Sequence, residues 1–144
     1  MVWRNGTEES MDGASENLKP VVLLVDDEPP VLRAVERLLR GEPYDLLTTP
    51  DPLKALEWIL SRKVSLVIAD YRMPELCGSD LLEKVSTFSP ETRRILFTGY
   101  PGEMLVLHGL GKGLYTLVGK PWDDAKLKEL VRHLALEPAA SEVD

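Results

Sequence analysis

The chain has 144 residues and a formal net charge of −7, which predicts one domain with a sizeable core and argues against nucleic-acid binding. Its single cysteine excludes an internal disulfide and agrees with a reducing compartment. The sequence shows neither a signal peptide nor an apolar run of membrane-spanning length. We therefore expect a cytoplasmic protein that has no membrane contact.

Polar and acidic segments flank the predicted domain. Residues 1–19 contribute a charge of −2 and residues 137–144 a charge of −3, so the residues between them carry only −2 and show no basic stripe. We expect a disordered N-terminal extension over residues 1–19 and an acidic tail or linker over residues 137–144. The folded domain is predicted over residues 20–136.

Short apolar segments alternate with helical patterns along this domain. The predicted strands cover residues 21–25, 44–48, 64–69, 93–97 and 114–118. Apolar residues at helical spacing follow the strands and predict helices with one apolar face toward the core. For four helices in chain order, these residues are Val31, Leu32, Val35, Leu38 and Leu39; Leu53, Leu56, Ile59 and Leu60; Leu81, Leu82, Val85 and Phe88; and Leu127, Leu130, Val131 and Leu134. Because parallel neighbours need crossover helices, this alternation predicts an α/β fold with a doubly wound five-stranded parallel sheet.

The starts of the helices carry local signals. Pro29 and Pro30 suit the first turn of the first helix, where a missing N–H does no harm. Asp51 before Pro52 predicts an N-cap of the second helix. The third helix is expected to be capped by Ser79 or Asp80 after Gly78, and the last helix by Asp123 or Asp124.

Residues 102–113 give the weakest helical pattern. Six of the ten glycines lie between Gly99 and Gly119. Each glycine inside a helix costs ~1 kcal/mol relative to alanine, so this segment is predicted to be the least stable element.

Reactive side chains follow four of the predicted strands. Asp26 and Asp27 follow the first strand and Asp70 the third, so three carboxylates should meet at the carboxyl edge of the sheet. Three carboxylates need a compensating cation, and an all-oxygen ligand set favours Mg²⁺. The alternative is that Asp26 and Asp27 only cap the first helix and favour its dipole.

The other two strand ends supply partners for an anion. Lys120 offers a positive charge and Thr98 a hydroxyl donor, which suit the oxygens of a phosphoryl group. A carboxylate such as Asp70, held beside them, can act as a nucleophile toward phosphorus.

These motifs together resemble the receiver domains of two-component response regulators, which belong to the CheY-like superfamily. The resemblance extends from about Pro20 to Leu136 and rests on the order and spacing of four motifs. The motifs are Val25-Asp26-Asp27-Glu28, Asp70-Tyr71-Arg72-Met73-Pro74 with Gly78 beyond it, Phe97-Thr98-Gly99, and Lys120-Pro121. It implies a flavodoxin-like (βα)₅ fold in which Asp70 receives a phosphoryl group from the phosphohistidine of a sensor histidine kinase or a phosphotransfer protein.

The same resemblance implies a role for each site residue. Asp27, Asp70 and the backbone carbonyl of Arg72 would bind Mg²⁺ directly, and Asp26 would act mainly through metal-bound water. Lys120 would pair first with Asp70 and then with the phosphoryl group, and Thr98 would hydrogen-bond that group. The domain would thus catalyse its own phosphorylation and dephosphorylation without being a conventional enzyme. The Lys120–Pro121 peptide is expected to be cis.

One position departs from the family pattern. Three residues before the lysine, where the family usually has tyrosine or phenylalanine, this chain has Leu117, so Tyr115 or Tyr100 could take over the aromatic switch. The resemblance further implies that the fourth helix and fifth strand signal to a downstream effector or to a separate output domain. The resemblance is also compatible with a dimer that forms when the domain is phosphorylated.

Three other side chains have simpler predicted roles. His108 and His133 lie on predicted helices, and surface or packing roles are expected for both, because the phosphohistidine belongs to the partner. Trp122 is predicted to pack at the base of the last helix.

Competing functions fit the sequence less well. An FMN-binding electron carrier needs a phosphate loop after the first strand, where Asp26 and Asp27 would repel phosphate. A haloacid-dehalogenase-like phosphatase expects its nucleophile after the first strand, whereas Asp70 follows the third. The strongest alternative is a degenerate receiver that acts as a phosphorylation-independent interaction scaffold.

Overall fold

The computed structural model describes residues 19–99 and 114–137. The strands of this part are β1 (Val21–Val25), β2 (Asp45–Thr49), β3 (Leu66–Asp70), β4 (Arg93–Thr98) and β5 (Thr116–Gly119). Its helices are α1 (Pro29–Leu38), α2 (Pro52–Ser61), α3 (Gly78–Phe88) and α4 (Asp124–Leu136). The predicted helical segment 102–113 lies outside the described residues.

The five strands form one parallel sheet in the order β2-β1-β3-β4-β5. The predicted doubly wound, flavodoxin-like sheet is therefore confirmed. The bounds of β1 agree with the prediction, and those of the other strands differ from it by one or two residues. In β3 the apolar run begins before the residues that pair. Val64, for example, is buried but precedes the first paired residue, Leu66.

In residues 19–99 and 114–137, each face of the sheet packs against two of the four described helices. Alternate strand residues such as Leu23 and Val67 pack with α2 and α3 in the first core cluster. Their neighbours Val22 and Ile68 pack with α1 and α4 in the second core cluster. Because β1 and β3 are covered on both faces, their side chains are almost wholly apolar.

The predicted orientations of α2 and α3 are partly wrong. Leu53 and Leu60 were expected in the core, but their side chains are 55% and 62% exposed, and Phe88 is 58% exposed. Ile59 is buried as predicted, and the other buried residues of α2 are Pro52 and Ala55. Helical periodicity identifies the apolar residues of a helix, but it does not give the rotation of the helix against the sheet. The rotation of α2 buries Ala55 and leaves Leu53 and Leu60 exposed.

The helix caps agree with the prediction at α2 and α4 only. Asp51 accepts a hydrogen bond from the Leu53 N–H at 2.9 Å, and Asp123 accepts one from the Lys126 N–H at 3.0 Å. The third helix instead has Cys77 as its N-cap residue and no side-chain cap bond. Among the helices described in residues 19–99 and 114–137, none is long and apolar enough to cross a membrane.

Candidate functional site

Asp70 is the last residue of β3, where the central strand reaches the carboxyl edge of the sheet. Its side chain is buried at 7% exposure, and Oδ2 accepts a hydrogen bond from the Arg72 N–H at 3.2 Å. The next residue continues the sheet, since the Tyr71 N–H donates to the Phe97 carbonyl at 2.9 Å. The position of Asp70 is thus fixed by two strands, β3 and β4.

The acidic pair follows β1, the strand beside β3. Asp26 is fully buried, and its Oδ1 accepts a hydrogen bond from the Glu28 N–H at 2.9 Å. Glu28 is the N-cap of α1, so Asp26 orders the turn before the helix without capping its first turn. Carboxylate oxygens of Asp26, Asp27 and Asp70, one from each, lie within 4.8 Å of one another. The structure therefore brings the three predicted carboxylates together.

Lys120 comes to the same place from β5. Its backbone N–H donates to the Thr98 carbonyl at 2.7 Å, and the following peptide to Pro121 is cis, as expected. The ammonium lies 2.6 Å from Asp70 Oδ1 and 3.1 Å from Asp26 Oδ2. It also lies 3.9 Å from Glu28 Oε1, and this third contact was not predicted. One cation thus bridges Asp26 and Asp70.

Thr98 ends β4 next to this cluster. Its side chain is 2% exposed, and it stands opposite Gly119 in the β4–β5 register. This position is one residue beyond the β3–β4 pair of Asp70 and Phe97. The predicted site residues Asp26, Asp27, Asp70, Arg72, Thr98 and Lys120 are therefore all found at one edge of the sheet.

Burial and mutual charge shift the protonation of two site residues. Burial raises the pKa of Asp26 to about 6, with a further contribution from the Asp70 charge, while the Glu28 N–H and Lys120 act in the opposite direction. Burial lowers the pKa of Lys120, but its hydrogen bonds and charge interactions with Asp70 and Asp26 outweigh burial and raise the pKa above its usual value. Lys120 is therefore fully charged at neutral pH.

Gly78 lies directly beneath Asp70, which the sequence did not reveal. A Cβ on Gly78 would collide with the Asp70 carbonyl oxygen and would lie 2.8 Å from the Asp70 carbonyl carbon and 2.9 Å from Leu96 Cδ1. The Gly78 N–H also donates to the Tyr71 carbonyl at 2.8 Å. Only glycine permits this close approach of α3 to the end of β3.

The remaining predicted residues have structural or surface positions. The Trp122 ring stacks on Phe97 with centroids 5.1 Å apart, and its Nε1–H donates to Asp124 Oδ1 at 3.0 Å, so its predicted packing at the start of α4 is confirmed. His133 is exposed on α4, and its Nδ1 lies 3.9 Å from Glu137. His108 and Tyr100 lie outside the described residues.

The donor set fits Mg²⁺. Every candidate ligand is a carboxylate or carbonyl oxygen, and magnesium prefers oxygen ligands while keeping several waters. Lys120 faces two buried carboxylates, and a third one lies nearby, so these three carboxylates carry more negative charge than this one ammonium balances. A divalent cation would neutralise that excess.

Comparisons with known proteins agree on one family. A family model described as the response regulator receiver domain matches residues 22–132. The hydrogenase transcriptional regulatory protein HoxA of Cupriavidus necator is 35% identical over 112 residues, which are 77% of this chain and 23% of HoxA. The transcriptional regulatory protein ZraR of Klebsiella oxytoca is 31% identical over 107 residues, 74% of this chain and 24% of ZraR.

Solved structures give the same result. The signal receiver domain of an HD domain-containing protein from Pseudomonas fluorescens Pf-5 is 36% identical, with a TM-score of 0.77 over 87% of this chain and 92% of that one. A CheY-like receiver domain protein from Methanospirillum hungatei JF-1 is 25% identical, with a TM-score of 0.76 over 86% of this chain and 98% of that one.

The chain belongs to the response regulator receiver domain family. Members of this family generally bind Mg²⁺ at an acidic pocket, and the Asp26, Asp27 and Asp70 cluster is such a pocket. The chain spans about a quarter of the length of the curated relatives that it matches.

Proposed function

We propose that this receiver takes a phosphoryl group from the phosphohistidine of a histidine kinase or phosphotransfer protein onto Asp70, with Mg²⁺ bound at the acidic cluster. The observation that carries the proposal is the position of the Asp70 carboxylate, 2.6 Å from the Lys120 ammonium and beside Asp26 and Asp27. An isolated aspartate at a strand end would need neither a cation nor two acidic neighbours.

In the proposed reaction an Asp70 carboxylate oxygen attacks the phosphorus. The new oxygen–phosphorus bond forms as the phosphorus–nitrogen bond breaks, and the imidazole nitrogen of the donor keeps the electron pair. Lys120 leaves Asp70 to contact a phosphoryl oxygen, and the Thr98 hydroxyl donates to another. Most of the rate acceleration comes from holding Asp70, Lys120 and Thr98 in position around the phosphoryl group.

The magnesium ion would be held by Asp27, Asp70 and the Arg72 carbonyl, and through water by Asp26. When bound, it shields the negative charges of the carboxylates and of the phosphoryl oxygens from each other. Asp26 also holds Lys120, at 3.1 Å, so that the ammonium stays at the site while it changes partner.

The proposed input and output follow from the family. Histidine kinases supply response regulators, and the relatives HoxA and ZraR are named as transcriptional regulatory proteins. We propose a folded receiver over residues 20–136 in the cytoplasm. Its β5 side and the segment before β5 would signal to an effector protein or an output domain.

Phosphorylation by a small donor tests the proposal. The intact protein is mixed with acetyl phosphate and Mg²⁺ and weighed by mass spectrometry. The wild type should gain one phosphoryl group and Asp70→Asn none. Asp51→Asn is the matched control, because it removes a carboxylate that caps α2 and is not part of the Asp26, Asp27 and Asp70 cluster, and it should be labelled like the wild type.

Two results would contradict the proposal. Labelling of Asp70→Asn at another carboxylate would show that Asp70 is not the acceptor. An unlabelled wild type that keeps its fold would favour the phosphorylation-independent scaffold.

A further inference from the structure

A groove of about 570 Å³ lies at the amino edge of the sheet, the edge opposite to the acidic cluster. Pro20 and Val21, where the chain enters β1, are among its lining residues. So are three exposed cationic residues, Lys19, Arg62 and Lys63, the last two of which follow the end of α2. We call this feature the basic groove.

The positive charge of the basic groove is not balanced by the folded domain. Within residues 19–99 and 114–137, the side chains of Lys19, Arg62 and Lys63 form no ion pair. Asp45 is the one carboxylate among the lining residues, so three positive charges stand against one negative charge. The chain as a whole has a net charge of −7, so this surface is an exception to its surroundings and favours an anionic occupant.

Backbone hydrogen bonds hold the basic groove in shape. The Asp45 N–H, at the start of β2, donates to the Pro20 carbonyl at 2.9 Å. The Ser65 N–H, just before β3, donates to the Val21 carbonyl at 2.8 Å. Because three strands are joined at this edge, an occupant meets a preformed backbone and need not order it on binding.

An anionic segment of the same chain is attached directly to the basic groove. Residues 7–18 contain four carboxylates, no lysine and no arginine, and they lead into the lining residue Lys19. The carboxylates are those of Glu8, Glu9, Asp12 and Glu16. The chain from Glu8 to Lys19 spans at most about 40 Å. A tethered segment has an effective concentration on the order of millimolar, so even the weak ion pairs of an exposed surface are sufficient for binding.

We propose that residues 7–18 bind in the basic groove and that their carboxylates pair with Arg62 and Lys63. The segment then covers this surface, so an acidic segment of another protein has to displace it. The inference does not rest on phosphorylation of Asp70, which ends β3 at the other edge of the sheet.

Zero-length cross-linking of the full chain tests the proposal. A carbodiimide joins a carboxylate to a lysine amine only when the two are in contact. An equal mixture of unlabelled and ¹⁵N-labelled chains is treated, digested and mapped by mass spectrometry. We expect Lys63 to be linked to residues 7–18 within single chains. Lys126 is the control, because it is an exposed lysine at the start of α4, at the carboxyl edge of the sheet, and it should form no such link.

A matched pair of charge reversals tests the contribution of the basic groove itself. Arg62→Glu removes a groove cation but keeps the Lys63 amine that reports the contact. It should lower the yield of links from Lys63 to residues 7–18 about two- to fivefold, as expected for the loss of exposed ion pairs. Lys126→Glu changes the net charge of the chain equally and should leave this yield unchanged.

Four results would overturn the proposal. One is that Lys63 forms no link to residues 7–18. Links from Lys63 to Glu142 or Asp144 instead would assign the basic groove to the C-terminal residues. Links only between an unlabelled and a labelled chain would make a second copy the occupant. An equal decrease in yield for Arg62→Glu and Lys126→Glu would show that net charge, and not the basic groove, is the cause.

Discussion

Asp26 makes an unfavourable contribution to the stability of the metal-free protein at neutral pH. Its pKa is raised from 3.8 to about 6 by burial, so the folded state binds its proton more tightly than the unfolded state does. Stability is therefore lost as the pH rises from about 4 to about 6, and the loss is complete above the folded pKa.

Asp26→Asn should accordingly stabilise the metal-free protein by about 1–3 kcal/mol at pH 7.5, from a shift of roughly two pKa units. Urea unfolding in EDTA, at pH 7.5 and at pH 4, measures the effect. The difference in unfolding free energy between Asp26→Asn and the wild type should be smaller at pH 4. With Mg²⁺ present, the variant should be less stable than the wild type. An equal difference at both pH values would show that the gain does not come from the charge.

Asp27 is proposed to bind the metal ion directly, whereas Asp26 would act through water. Asp27→Asn should therefore weaken Mg²⁺ binding by about tenfold or more, because it removes a charged ligand from a site that has only two of them. Calorimetric titration measures the affinity. Unchanged binding in Asp27→Asn, with folding intact, would refute the ligand assignment.

At the scale of elements, α3 and β3 meet through a contact that leaves no room for a side chain. Gly78→Ala places a Cβ against the Asp70 backbone and Leu96. Because the backbone on both sides must shift, we expect a loss of about 1–3 kcal/mol in unfolding free energy, together with slower labelling by acetyl phosphate.

Gly99→Ala is the control for this substitution. It adds the same methyl group beside the site, but nothing described lies within 4 Å of the added atom. Its unfolding free energy should change by less than about 0.5 kcal/mol. If the two variants lose stability equally, the contact between Gly78 and Asp70 is not the cause.

Over the whole molecule, the sequence predicted the site better than the helix orientations. Asp70 could be predicted because β3 is buried on both faces, and the carboxyl ends of parallel strands share one edge. The exposure of Leu53 and Phe88 could not be predicted, because helical periodicity does not say how a helix is rotated against the sheet. The buried Tyr115 hydroxyl depends on loop packing, which leaves no signal in the sequence.

Because Trp122 stacks on Phe97, the fluorescence of Trp122 can report on changes at Asp70. The Phe97 carbonyl accepts a hydrogen bond from the N–H of Tyr71, the residue after Asp70. The Phe97 ring stacks on the Trp122 indole. Indole emission responds to its immediate neighbours, so a change at Asp70 can reach the emission of Trp122 through Tyr71 and Phe97. Trp58 lies on α2 beneath the Lys54 ammonium, and Trp3 lies outside the described residues. With both of these replaced by phenylalanine, Trp122 would report on the acceptor without any attached dye.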